Sequence, residues 1–72
     1  MSNFRVSICV LVGQKIKQIR IKANMSQEKL ALECGLHRAY IGQIERAEKV
    51  IGIVNLEIIA KALSVKIQDL FK

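Results

Sequence analysis

From about residue 12 onward, apolar residues recur at helical spacing. Val12, Ile16 and Ile19 fall at i, i+4 and i+7, while Lys15, Lys17 and Lys22 lie mostly on other faces. The pattern predicts a basic amphipathic helix ending near Ala23, with Asn24 suited to the left-handed conformation that follows a helix end. Ser26 is a good N-cap, and Glu28 lies in the positive first turn of a second helix running from Gln27 to about Cys34. Leu30, Ala31 and Cys34 face inward, and Gly35 stops the helix. A third helix starts at His37 or Arg38, with Leu36 and Ile41 placed as a hydrophobic staple. Its inward residues are Ile41 and Ile44, and it ends near Ala47. An irregular apolar segment, Val50 to Ile53, precedes a fourth helix from about Val54 to Leu63, striped by Leu56, Ile59, Ala60 and Leu63. A short fifth helix, Ile67 to Phe71, closes the chain. No strand pattern competes, although residues 4 to 12 fit either an extended segment or a helix. The expected architecture is an all-α five-helix bundle over residues 12–72, preceded by an N-terminal extension, residues 1–11.

Length and charge sharpen this picture. A chain of 72 residues makes one domain. Such a domain buries roughly 60% of its unfolded surface, so dimerisation is a natural source of extra stability. Twelve Lys and Arg against six Asp and Glu give a formal net charge of +6, which favours a polyanionic partner. Cys9 and Cys34 have no metal-like spacing and read as reduced packing residues of a cytoplasmic protein, although one bridge between them is conceivable. The apolar run from Val6 to Val12 is too short to span a bilayer. Arg5 ahead of it mimics a signal peptide, but no small-residue cleavage site follows. With one His, one Asp, no Gly-rich phosphate loop and no metal-ligand set, the chain is expected to be neither an enzyme nor a carrier of a cofactor or metal.

The informative stretch is Gln27 to Glu45. Ala31 lies four residues before Gly35, Ile41 six after it and Ile44 nine after it. Two short helices that cross closely want a small side chain at the crossing, a residue without a Cβ in the turn and branched apolar anchors on the second helix. Leu30, Cys34 and Leu36 fill the flanking core positions. Together this spacing predicts a helix-turn-helix formed by the second and third helices.

The segment SQEKLALECGLHRAYIGQIERAE, followed by NLEIIAKAL and DLF, resembles the Xre-like family of phage repressors and controller proteins of restriction–modification systems. The resemblance covers residues 12 to 71. The stretch HRAYIGQIER, with Arg38, Tyr40 and Arg46, is most similar to the controller proteins. It implies a five-helix bundle of the phage-repressor DNA-binding type, whose third helix enters the major groove. It also implies a dimer on a near-palindromic operator, and an ion pair between the positions of Arg20 and Glu45 that fixes the pose of that helix. Both residues being separately exposed is the alternative. The chain departs from the family pattern at His37, where Ser, Thr or Asp often caps the recognition helix. It departs again at Ala47, which replaces the usual glycine, and at Val50 and Gly52, which replace polar loop residues.

On the motif, the outer face of the third helix supplies the base contacts: Arg38, Ala39, Gln43 and Arg46. Arg38 can present a fork to guanine, Gln43 can pair with adenine, Ala39 can meet a thymine methyl, and Gly42 permits close backbone approach. Gln27, His37, Tyr40 and Lys49 are placed for the DNA backbone. The alternative for Tyr40 is a half-buried structural tyrosine, and Arg46 can serve a phosphate instead of a base. Leu63, Val65, Ile67, Leu70 and Phe71, with Ile51 and Ile53, are too many apolar groups for one small core. The surplus, Ile51, Ile53, Val65, Ile67, Leu70 and Phe71, is expected to form a homodimer interface. The expected partners are therefore double-stranded DNA and a second copy, with no membrane. No sensing domain is recognisable, so no small-molecule effector is expected. An antitoxin-like adaptor acting mainly on another protein is the competing class.

Overall fold

Each helix of this chain ends where one residue turns left-handed, and these four reversals set the architecture. The computed structural model describes residues 4–72, and side chains from residue 7 onward. Helix α1 spans Phe4–Lys22, α2 Gln27–Cys34, α3 Arg38–Glu45 and α4 Ile53–Ala62, followed by a 3-10 helix, Ile67–Phe71. The reversals are at Asn24 (φ 64°), Gly35 (φ 68°), Ala47 (φ 59°) and Ser64 (φ 60°). In every case the next N–H returns to the helix just left. Met25 donates to Arg20 O, Leu36 to Ala31 O, Glu48 to Gln43 O and Val65 to Ala60 O, at 2.8–3.0 Å. Met25, Leu36 and Val65 then pack on the core, as this end motif favours. Glu48 stays exposed.

Several expected boundaries are corrected. Residues 4–11 of the expected extension are continuous with α1, so the extended alternative for that segment does not hold; residues 1–3 lie outside the described residues. No acidic residue marks the first turn of α1, which removes the usual sign of a helix start. Helix α3 stops at Glu45, two residues early, because Ala47 takes the left-handed conformation reserved in the sequence reading for a glycine. The fifth element is a 3-10 helix, so the described residues form four α-helices rather than five. Its five residues are few for an α-helix, and the Lys66 N–H is taken by Asp69 Oδ2 at 3.1 Å. Ser26 caps α2 as expected, its side chain accepting from the Lys29 N–H at 2.9 Å.

The core draws on every element: Val12 and Ile16 from α1, Leu30 and Ala31 from α2, Ile41 and Ile44 from α3, Leu56, Ile59 and Ala60 from α4, with Leu63 and Leu70. Helix α3 is clasped between α1 and α2, and the 3-10 helix closes over α1 and α4. Leu70 is fully buried, so it belongs to the core and not to the exposed interface expected for it. Three residues per turn put Leu70 beneath Ile67 on the same side of the 3-10 helix, facing inward. Gly13 permits a close approach of two helix backbones. A Cβ there would collide with the backbone carbonyl of Ile44 and lie 3.0 Å from that of Glu45. Helix α1 therefore presses on the C-terminal end of α3.

The same end of α3 is fixed electrostatically. Glu45 is buried, and both its oxygens are occupied: Arg20 Nε donates to Oε2 at 2.6 Å and Arg20 Nη2 to Oε1 at 3.0 Å. Gln27 Nε2 adds a bond to Oε1 at 3.0 Å, and Arg20 Nη1 donates to the carbonyl of Met25 at 2.7 Å. The knot joins the end of α1, the start of α2 and the end of α3. No buried side-chain polar atom is left unpaired among the described residues. A buried pair with this full a set of partners orients its helices strongly, while its net contribution to stability stays small.

Two outcomes follow from this packing. Gly13→Ala should destabilise the fold by about 1–3 kcal/mol in urea unfolding, because the clash is with backbone rather than a movable side chain. An unchanged midpoint would mean that α1 and α3 are free to part. Removing one partner of the knot, by Arg20→Met or Glu45→Met, should cost about 3–5 kcal/mol, and the double variant should cost less than the sum. Additive losses would show that the two side chains do not interact.

Candidate nucleic-acid interface

With its inner face held by Ile41, Ile44 and Glu45, α3 turns a short outer face to solvent. Arg38, Ala39, Gly42, Gln43 and Arg46 line one shallow concavity there, together with Gln27 from the first turn of α2. All four residues expected to meet bases are thus gathered in one place, and Gln27 with them. Arg38 and Ala39 are exposed at the N-terminal end of α3, and Gln43 is half-buried one turn further on. Among the described residues Arg38 has no carboxylate partner, which leaves its whole fork available. Gln27 spends one amide N–H on Glu45, so the residue serves the knot and the rim of the concavity together.

The other expected contacts are placed differently. His37 holds the N-cap position of α3 in extended conformation, but its side chain makes no capping hydrogen bond. It is exposed on the far side of Arg38, in a depression shared with Ser26, Lys29 and Leu36. The Tyr40 hydroxyl accepts from Asn55 Nδ2 at 3.1 Å, tying α3 to α4 while the ring packs half-buried against the core. The structural alternative for Tyr40 is the one its contacts match, although its own proton remains free for a further acceptor. Lys49 lies on another side of the domain. It lines an apolar groove of about 180 Å³ with Ile8, Cys9, Val50, Ile53 and Phe71.

That groove adjoins the expected dimer surface. Ile53 is 76% exposed, Val54 66% and Phe71 44%. Ile51, Val65 and Ile67 are only half-buried against the core. The described part of α1 adds Ile8, Val10 and Leu11, all partly exposed, and Ile8 lines the groove.

Two further features shape the outer face: Gly42, whose residue type already marks it for close approach, and Glu48, which no spacing marks. Gly42 is buried in the middle of α3 and a Cβ on it would stand 3.0 Å from Nη1 of Arg46. Glu48 grips Arg46 with both oxygens, Nε to Oε2 at 2.8 Å and Nη2 to Oε1 at 3.1 Å. That hydrogen bond lowers the Glu48 carboxyl from its ordinary value and raises the guanidinium. Only the left-handed Ala47 brings the two together, since side chains two apart on a helix do not face each other.

Cys9 and Cys34 are free thiols, and burial, aided by the charge of Glu33, pushes Cys34 up and makes it a poor nucleophile. Among the described residues no group of three or more acidic, His or Cys side chains is placed to hold a metal. No helix there is long and apolar enough to cross a membrane.

A helix-turn-helix family model matches residues 16–70. Control protein C.BamHI of Bacillus amyloliquefaciens is 55% identical over 65 residues, covering 89% of this chain and 80% of the relative. The crystal structure of the restriction–modification controller protein C.AhdI from Aeromonas hydrophila superposes with a TM-score of 0.88 at 35% identity, over 90% of this chain and 98% of that one. SinR, a master regulator for biofilm formation solved in complex with DNA, superposes with a TM-score of 0.80 at 32% identity, over 85% of this chain and 98% of that one. The chain belongs to the helix-turn-helix family, among relatives that include the controller proteins of restriction–modification systems.

Proposed function

We propose that this protein is a sequence-specific transcriptional regulator that binds a near-palindromic operator in double-stranded DNA as a homodimer and controls a restriction–modification system. The observation that carries the reading is the outer face of α3, where Arg38, Ala39, Gln43 and Arg46 share one concavity on a helix whose pose is locked from behind. Arg38 at the leading end reads guanine, Gln43 reads adenine, and Ala39 meets a thymine methyl. Gln27 and the start of α2 contact the backbone, as do His37 and, through its remaining proton, Tyr40. Lys49 is the weakest member of the backbone set, since its stem lies along the apolar groove. The formal charge of +6 adds the sequence-independent attraction.

The homodimer rests on the apolar surface around Ile53 and Phe71, with Ile51, Val65 and Ile67 at its base; Leu70 supports it from within the core. A two-fold axis through this surface sets two α3 helices about one DNA turn, roughly 34 Å, apart. In this reading the protein works without catalysis, cofactor or small-molecule effector, in the cytoplasm, and its occupancy follows its own concentration through dimerisation.

Selection of bound sequences from a random DNA pool tests the proposal. The expected product is an inverted repeat of two half-sites whose centres lie about one helical turn apart. Arg38→Ala should then weaken binding to that site by about 1–3 kcal/mol and relax the preference at one base pair of each half-site. Absence of any enriched sequence would favour an adaptor acting on another protein, and equal losses on selected and random DNA would reassign Arg38 to a phosphate.

A further inference from the structure

We propose that Glu48 is a positioning residue for Arg46, holding its guanidinium across Gly42 so that Arg46 meets DNA in one pose and acts as a specificity-determining group; this rests on the reading of α3 as a recognition helix.

The position of Glu48 is the first sign. The other three helix ends place an apolar residue here, Met25, Leu36 or Val65, and each packs on the core. After α3 the same position holds an exposed carboxylate, and both its oxygens turn back to Arg46 at 2.8 and 3.1 Å. The pair adds little to folding, because both side chains are more than half exposed. What it does is choose a rotamer. An exposed arginine samples many, and ordering it on binding costs entropy. With Nε and one edge of Nη2 held by Glu48, the free donors of Arg46 are confined to the Nη1 side.

Gly42 is the second sign. It lies beside that Nη1 edge: a Cβ would stand 3.0 Å from Nη1, close enough to make the guanidinium give way, and at ordinary contact distance, 3.6 Å, from Cζ and Nη2. A glycine inside an eight-residue helix weakens the helix, so its use here is the seat it provides. Glu48 holds the guanidinium, and the missing Cβ of Gly42 leaves room for it, at the rim of the concavity shared with Arg38 and Gln43.

The carboxylate has a second effect. A negative charge beside Arg46 repels phosphates, so it penalises binding in which Arg46 merely neutralises the backbone. A base-edge acceptor presented to the Nη1 side meets no such penalty. Glu48 thereby lowers affinity for random DNA and raises discrimination at one base pair.

The test compares wild type, Arg46→Ala, Glu48→Ala, Glu48→Gln, Gly42→Ala and the Arg46→Ala/Glu48→Ala double variant. Each binds the wild-type selected site, its single-base substitutions and random DNA at one fixed salt concentration. Glu48→Ala should bind random DNA more tightly, by a few fold. It should lose about tenfold discrimination at the base pair where Arg46→Ala also loses it. The double variant should be no less selective than Arg46→Ala alone. Glu48→Gln, which keeps an acceptor, should recover part of the discrimination. Gly42→Ala should unfold at no lower temperature than wild type yet lose selectivity at that same pair, a result that a purely structural role would not produce. Glu48→Ala binding every sequence more tightly by the same factor, with discrimination intact, would overturn the proposal and leave Glu48 as a repelling charge. Wild type selecting no site at all would instead remove the recognition reading beneath it.

Discussion

Glu45 is the last residue of α3, and its buried carboxylate must be answered on every side. Arg20 supplies two donors from the end of α1, and Gln27 supplies a third from the start of α2. Arg20 then uses its remaining nitrogen on the Met25 carbonyl, the first backbone acceptor beyond the α1 reversal. Three helices thus converge on one carboxylate: parting α1 from α3 would leave a buried charge unpaired, and moving α2 would forfeit the Gln27 hydrogen bond. Such a knot is costly to desolvate, so its use is orientation rather than net stability. Gly13 adds a steric stop to the electrostatic one, pressing α1 on the carbonyls of Ile44 and Glu45. The C-terminal end of α3 is thus held both electrostatically and sterically, and the outer face of that helix inherits its direction.

The exposed face of α3 follows from this anchoring. Once Ile41, Ile44 and Glu45 face inward, helical geometry alone sends Arg38, Ala39, Gln43 and Arg46 outward. Gln27 belongs to both sides, donating to the buried carboxylate and lining the concavity. The start of α2 is therefore registered against α3 by the same bond network that holds α3 in place. Across the molecule, the apolar surface around Ile53 and Phe71 shares no residue with this concavity.

Much of this was legible in the residues. The spacing of Ala31, Gly35, Ile41 and Ile44 carried the helix-turn-helix, because each position is constrained by sterics that depend only on residue type. Ser26 and Asn24 marked their helix ends for the same reason. What the chain hid were features in which one residue departs from its type. Ala47 and Ser64 are left-handed without being glycine, which shortened α3 and left its end misplaced by two residues. The start of α1 carries no acidic residue in its first turn, so residues 4–11 read as an extension. Leu70 looked like one apolar surplus among several, and only the three-residue pitch of the last helix shows it facing in. Gly13 acts through Ile44 and Glu45, far along the chain, and Glu48 acts through a reversal at Ala47, so no local pattern announces either. Tyr40 was readable to the point of two alternatives, and its bond to Asn55 matches the structural one.

The claim on which the account turns is that the leading end of α3 reads a guanine through the major groove. Methylation interference on the selected operator measures this directly, because N7 methylation blocks the acceptor to which an arginine fork donates. The account predicts that methylating a guanine N7 in each half-site abolishes binding of the wild-type protein, and that Arg38→Ala becomes indifferent to the same modification. Interference confined to adenine N3 in the minor groove, with guanine N7 methylation tolerated throughout, would contradict it.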